Sequence, residues 1–169
     1  MGQGQKASDD SSLTLDIMKQ LIINGISLKD AVQSVNALLK IKNRNDMFTT
    51  LDLIQVNLVL GKAVLVKYGA CPTYILRDNE LIELKSQSLP MGIVSPLETS
   101  TDKYQLLEND IIFMVSDGFT SQFGDFIENN KYLIDEDHPK EIAHLLTNLA
   151  SDEEKNDDMT LIVLKLCKQ

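Results

Sequence analysis

The chain has 169 residues, of which 43% are hydrophobic and 24% are charged, and its net charge is −9. This composition is ordinary for a globular protein, and the length predicts one domain that spans residues 1–169. The acidic balance disfavours nucleic acid or an anionic membrane surface as the main partner.

The compartment can be predicted from what the sequence lacks. No apolar run approaches the ~20 residues of a membrane-spanning helix, and the first residues have no signal-peptide character. Cys71 and Cys167 lie far apart in the chain and fit reduced thiols better than a disulfide framework. We therefore expect a cytoplasmic domain without a membrane segment. The parent protein could still be tethered to a membrane.

The first third of the chain predicts two antiparallel helices. Apolar residues recur at helical spacing over residues 13–22, and Gly25 stands where that helix would end. Residues 27–30 match a capping box, and a second amphipathic pattern runs from residue 28 to about residue 41. We expect the second helix to pack its apolar side against a strand within residues 50–60.

The middle of the chain predicts antiparallel strands joined by tight turns. The predicted strands are residues 48–60, 63–68, 73–77, 80–84, 104–107, 111–115 and 159–166. Asp78-Asn79 predicts a tight hairpin between two of them, and Gly61-Lys62 marks another turn. We expect residues 104–107 to pair across the turn 108–110 with the strand that begins at Ile111.

The strand 111–115 organises the candidate site. Its five apolar residues predict burial on both faces, and it ends at Ser116-Asp117-Gly118. A second acidic pair, Asp157-Asp158, directly precedes the last predicted strand. If the two strands are antiparallel neighbours, Asp117 and Asp157 converge on one rim, and converging carboxylates suit a hard divalent cation. The alternative is an ordinary aspartate that caps the turn after its strand.

The last third of the chain predicts two further helices. Phe119, Phe123 and Phe126 indicate a short helix that packs aromatic rings inward, and Pro139 stands near the start of the next helix. For His138 and His144, a capping or surface role is favoured over catalysis because neither lies near the predicted acidic rim.

Three motifs, in this order, resemble metal-dependent protein phosphatases of the 2C class. They are Leu89-Pro90-Met91-Gly92-Ile93, Ser116-Asp117-Gly118 and Asp157-Asp158-Met159-Thr160. Within the class, the chain resembles the bacterial branch typified by the phosphatase domain of stage II sporulation protein E. Met1-Gly2-Gln3-Gly4 is similar to the latter part of that branch's Asp-Gly-Met-Gly-x-Gly segment. The Ser-Asp-Gly motif or the Asp-Asp-Met-Thr motif alone is unspecific, but the ordered set is specific, and the resemblance covers essentially the whole chain.

The resemblance implies an α+β fold, an α-β-β-α sandwich of two antiparallel sheets flanked by helix pairs. It implies Mn²⁺ or Mg²⁺, two ions in a complete domain, with Asp117 and Asp157 as metal ligands. Asp158 would orient the site, and which of Asp157 and Asp158 is the ligand stays open. A water on the metal would attack phosphoserine or phosphothreonine, so no side-chain nucleophile is expected. The usual substrate of this branch is a phosphorylated anti-anti-sigma factor.

The chain departs from the family pattern at its start. The family has an Asp-Gly pair just upstream of the position of Met1, and that Asp bridges the two metals. We therefore expect residues 1–169 to be an N-terminally truncated phosphatase domain that hydrolyses phosphoserine poorly by itself. The alternative is a catalytically incompetent regulatory module of the same fold that binds a protein partner. A structural cation-binding domain has less support, because no EF-hand spacing is present.

Overall fold

A computed structural model of the chain describes residues 5–42, 48–85, 88–94, 97, 101–119, 123–134, 138–151 and 158–167. Within them the helices are α1 (Gln5–Ile23), α2 (Leu28–Lys42), α3 (Phe123–Asn130) and α4 (Pro139–Ser151). The strands are β1 (Leu51–Asn57), β2 (Lys62–Tyr68), β3 (Thr73–Arg77), β4 (Glu80–Leu84), β5 (Asp102–Gln105), β6 (Ile111–Val115) and β7 (Leu161–Lys165). Short 3-10 turns cover Asp117–Phe119 and Lys131–Leu133.

The strands form two antiparallel sheets, and with the four helices they confirm the α+β fold class. The strand order is β1-β2-β5 in the three-stranded sheet and β4-β3-β6-β7 in the four-stranded sheet. The chain divides into two compact units. The first holds α1, α2 and most of β1 and β2, and the second holds α3, α4 and the whole four-stranded sheet. None of the helices in the described part of the chain combines the length and the apolar character that crossing a bilayer requires.

In the first unit, the turn between α1 and α2 has the geometry that the sequence predicts. Gly25 has a φ of 83°, and the Ile26 amide donates to the Leu21 carbonyl at 3.0 Å, which ends α1 in a Schellman motif. The Ser27 hydroxyl accepts from the Asp30 amide at 3.2 Å and donates to the Asp30 carboxylate at 2.6 Å. Both helix ends at this turn therefore have partners for their backbone groups.

Helix α2 carries the apolar side of the first unit, as expected. Its buried residues share one hydrophobic cluster with strand residues and with the loop after β4. The cluster consists of Met18, Ala31, Val32, Val35, Leu39, Leu51, Val66, Tyr68, Met91 and Leu97. Because Leu51 of β1 belongs to this cluster, the expected packing of α2 against the strand within residues 50–60 is confirmed.

A buried polar side chain on α2 holds the motif at residues 89–93. The Asn36 side chain is fully buried; it donates to the Val94 carbonyl at 2.9 Å and accepts from the Gly92 amide at 2.8 Å. Met91 of the same motif is also fully buried. The motif is therefore a loop that α2 anchors through two hydrogen bonds, each of which satisfies a buried polar group.

The second unit has an aromatic core between its sheet and its helices. The buried residues are Tyr74, Leu76, Ile111, Phe113, Phe119, Phe123, Ile127, Ile142, Leu146 and Ala150. The rings of Phe119 and Phe123 meet edge to face, with centroids 5.0 Å apart. The Tyr74 hydroxyl donates to the Glu83 carboxylate at 3.2 Å; burial, followed by this carboxylate, raises the pKa of Tyr74 to about 12. The expected inward packing of the aromatic rings is confirmed, although Phe119 lies in the 3-10 turn and α3 begins at Phe123.

An ion pair fixes the start of β6. The Asp110 carboxylate is 1% exposed and accepts from Arg77 Nε at 2.8 Å and Nη2 at 2.6 Å. It also accepts from the Leu107 amide at 2.8 Å. Hydrogen bonding to Asp110 raises the pKa of Arg77, so the guanidinium stays charged.

Several predicted boundaries and one predicted pairing differ in the structure. Helix α1 begins at Gln5 rather than near residue 13. Its first turns are polar and carry no apolar period, so the hydrophobic pattern does not predict this start. β1 ends at Asn57, not at Leu60, because the Asn57 side chain accepts from the amides of Val59 and Leu60 at 3.1 and 2.9 Å. The turn that follows exposes Leu58, Val59 and Leu60 by 74%, 92% and 56%.

The predicted hairpin between residues 104–107 and 111–115 is wrong. β5 begins at Asp102, ends at Gln105 and pairs with β2, whereas β6 pairs with β3 and β7. The Leu106 amide donates to the Gly61 carbonyl at 2.7 Å, and the Arg77–Asp110 pair holds the following residues at the other sheet. β7 begins at Leu161 and ends at Lys165, so it is shorter than predicted at both ends.

Both histidines have the surface positions that the sequence predicts. His138 and His144 are exposed, and the His138 carbonyl accepts from the amides of Glu141 and Ile142 at the start of α4. Pro139 is the first residue of that helix, where its missing amide hydrogen is not needed.

The buried side of α2 can be tested with Val35→Asp. Val35 is 1% exposed, so the substitution loses about 1.5–3 kcal/mol of apolar burial and adds an unpaired buried charge. We expect circular dichroism to show no cooperative melting, or the chain to be insoluble. Leu38→Asp is the control, because Leu38 lies on the same helix and is 47% exposed. A soluble Val35→Asp variant with an unchanged melting temperature would contradict this packing.

The ion pair can be tested with Arg77→Met, which keeps a long apolar stem and leaves the buried Asp110 carboxylate without its cation. Breaking a buried pair costs about 3–5 kcal/mol; because the Arg77 side chain is 27% exposed, we expect a loss of ~2–3 kcal/mol in urea unfolding. Lys85→Met breaks the exposed pair with Glu83 and should cost no more than about 1 kcal/mol. Equal losses in the two variants would refute the special role of Asp110.

Candidate functional site

The candidate site is the edge of the four-stranded sheet where β6 ends and β7 begins. These strands are antiparallel neighbours, with Ile111 opposite Lys165 and Val115 opposite Leu161. The end of one strand and the start of the other therefore lie at the same edge. This pairing confirms the arrangement on which the sequence-based site prediction depends.

Asp117 is the first residue of the 3-10 turn that follows β6. Its side chain is exposed, whereas Gly118 and Phe119 are buried. Phe119 belongs to the aromatic core of the second unit and packs edge to face on Phe123. The packing of Phe119 therefore anchors the turn in the core, and the Asp117 carboxylate faces solvent at the edge of the sheet.

The segment before β7 continues the pairing past the end of β6. The Ser116 amide donates to the Thr160 carbonyl at 3.0 Å, and the Thr160 amide donates to the Ser116 hydroxyl at 2.9 Å. Asp158 is exposed two residues before Thr160. Asp117 and Asp158 consequently lie on segments that are hydrogen-bonded to each other.

Two predicted features lie outside the described residues. These are Asp157, the second predicted ligand, and the segment Met1-Gly2-Gln3-Gly4. The convergence of Asp117 with Asp157 stays a prediction. The link that Ser116 makes between the two segments is not evident from the sequence pattern, in which its place directly before Asp117 is the available signal.

The donors at this rim fit a hard divalent cation. Carboxylate oxygens are the ligands that Mg²⁺ and Mn²⁺ prefer, and both Asp117 and Asp158 are exposed beside paired backbone. Within the described ranges, which leave out Asp157, no three His, Cys, Asp or Glu residues are grouped closely enough to hold an ion. The described rim thus presents two exposed carboxylates on hydrogen-bonded segments, and a metal site there stays a prediction.

Solved structures define the class of this fold. The PP2C phosphatase domain of SpoIIE from Bacillus subtilis, solved with a fragment of its regulatory domain, is 26% identical with a TM-score of 0.85; the match covers 96% of this chain and 51% of that chain. The catalytic domain of the serine/threonine phosphatase PstP, solved with two manganese ions, is 19% identical with a TM-score of 0.77, covering 96% of this chain and 83% of that one. The fold is therefore that of PP2C domains, which confirms the α-β-β-α class.

The family follows from sequence comparison. The family model for stage II sporulation protein E matches residues 1–166, and the chain belongs to this family. Stage II sporulation protein E of Priestia megaterium is 30% identical over 98% of this chain. The chain spans only 30% of the length of that relative.

Proposed function

We propose that this chain is part of a metal-dependent serine/threonine protein phosphatase that acts on phosphoserine in a regulatory protein. The observation that carries the proposal is the pairing of β6 with β7, in which Asp117 and the segment before Leu161 share one rim. Membership of a family whose structural relatives include PP2C phosphatase domains supports the same reaction class.

We assign Asp117 and Asp157 as ligands of Mn²⁺ or Mg²⁺, with Asp158 orienting the site. The two manganese ions in the structure of PstP support this choice of metal. When bound, such ions acidify a coordinated water and offset the negative charge that grows on the phosphoryl oxygens. The chain's own contribution is to hold the Asp117 carboxylate on a turn that Phe119 anchors, so that little reorganisation is needed.

The proposed substrate is a phosphorylated protein, and within this family we propose an anti-anti-sigma factor. The net charge of −9 supports a protein partner over nucleic acid. We further propose that residues 1–169 alone turn over slowly. Asp117 and Asp157 supply two carboxylates, whereas ions held about 3.5–4 Å apart also need a bridging ligand.

Asp117→Asn tests the proposal, because it removes one carboxylate charge and keeps the size of the side chain. We expect manganese-dependent release of phosphate from a phosphoserine protein to fall by roughly 100-fold or more. The assay is run on residues 1–169 and on a chain extended upstream of Met1 by the family's Asp-Gly segment, and the extended chain should be faster. Asp125→Asn, an exposed acid on α3, should leave the rate unchanged.

Two results would count against the proposal. Equal rates for Asp117→Asn and the unaltered protein would remove Asp117 from the metal site. If the extended chain shows no metal-dependent hydrolysis but binds a protein partner, the regulatory-module alternative is favoured.

A further inference from the structure

We propose that Ser116 is a positioning residue for the acidic rim: its hydroxyl locks the segment that carries Asp158 against the turn that carries Asp117. The proposal rests on the proposed function, since it concerns the same site. It names a residue that acts through the carboxylates beside it and does not itself touch the metal or substrate.

The Ser116 carbonyl is occupied by the turn that follows β6. This carbonyl accepts from the Phe119 amide at 3.0 Å and so closes the 3-10 turn that begins at Asp117. In a regular antiparallel pair, the Ser116 carbonyl would instead accept from the amide of Thr160, the residue opposite. The turn that exposes Asp117 therefore leaves the Thr160 amide in need of another acceptor.

The Ser116 side chain supplies that acceptor. Its Oγ accepts from the Thr160 amide at 2.9 Å, while the Ser116 amide donates to the Thr160 carbonyl at 3.0 Å. The same Oγ lies 3.4 Å from the Asp158 carbonyl, at the long end of hydrogen-bond distance. Ser116 thus extends the pairing of β6 with β7 by one residue, although its own carbonyl already belongs to the 3-10 turn.

The consequence is that both acidic segments are held through a single residue. Without the hydroxyl, the Thr160 amide loses this acceptor; the Ser116 amide still donates to the Thr160 carbonyl, but the segment before β7 can shift more easily relative to Asp117. Groups that orient the ligands of a metal typically change its affinity by about 10–100-fold when they are removed. If the Ser116 hydroxyl only completed the end of the β-ladder, its removal would lower folding stability and leave the affinity for metal unchanged.

The test compares Ser116→Ala, Ser116→Cys and Ser116→Thr in the protein at its natural length. Manganese affinity is measured by electron paramagnetic resonance of free Mn²⁺, and amide hydrogen exchange at Thr160 is measured without metal. We expect Ser116→Ala to bind Mn²⁺ about 10–100-fold more weakly and its Thr160 amide to exchange faster. Ser116→Thr keeps the hydroxyl and should restore both values, and Ser116→Cys, with its weak acceptor, should lie between.

Ser34→Ala is the matched control, because the Ser34 hydroxyl likewise makes a side-chain hydrogen bond, to the Asp30 carbonyl at 2.8 Å on α2. It should leave the manganese affinity unchanged. If Ser116→Ala lowers the melting temperature but not the affinity, or Ser116→Thr fails to restore it, Ser116 is structural only and the proposal is wrong. Should Ser116→Ala fail to fold, the comparison of Ser116→Cys with Ser116→Thr decides in the same way.

The two proposals fail differently. If Asp117→Asn leaves manganese binding unchanged, the metal site itself is elsewhere and the proposed function fails. If Asp117→Asn abolishes binding while Ser116→Ala does not weaken it, the proposed function stands and the role of Ser116 is refuted.

Discussion

The antiparallel pairing of β6 with β7 is the constraint on which the candidate site depends. Ser116 and Thr160 are 44 residues apart in sequence, and only this ladder brings them within hydrogen-bond distance. Phe113 of β6 is fully buried, and Ile112, whose side chain lies on the opposite face, is 2% exposed. A slip of one residue would exchange the two faces of β6, so packing on both faces fixes the register and hence the rim.

The two ends of β6 are fixed by different kinds of chemistry. At its start, the buried Asp110 carboxylate is held by the Arg77 guanidinium; at its end, Phe119 is inserted into an aromatic cluster. A charged hydrogen bond is directional and an aromatic contact fills volume, so together they restrict both sliding and tilting of the strand. The exposed carboxylate of Asp117 thus lies between two anchors that are themselves buried.

Local patterns predicted most of the elements but not every connection between them. Asp78 and Asn79 both have positive φ, as the predicted tight hairpin requires, and β3 and β4 have the predicted bounds. The predicted pairing of β5 was wrong because the alternation of apolar and polar residues within a strand does not indicate which sheet the strand joins. That choice depends on contacts between residues distant in sequence, such as Arg77 with Asp110. The hydrogen bonds between Ser116 and Thr160 are not evident from local pattern for the same reason: they depend on the position of Thr160.

The exposed turn at Leu58, Val59 and Leu60 has a practical consequence for handling the protein. The turn is held by the Asn57 side chain and by backbone contacts at Gly61, not by the three apolar side chains themselves. These side chains therefore add little to the stability of the folded state. They form an exposed apolar patch, which favours association between molecules in concentrated solution. Replacing them with polar residues is a rational way to improve solubility without altering the sheet beneath.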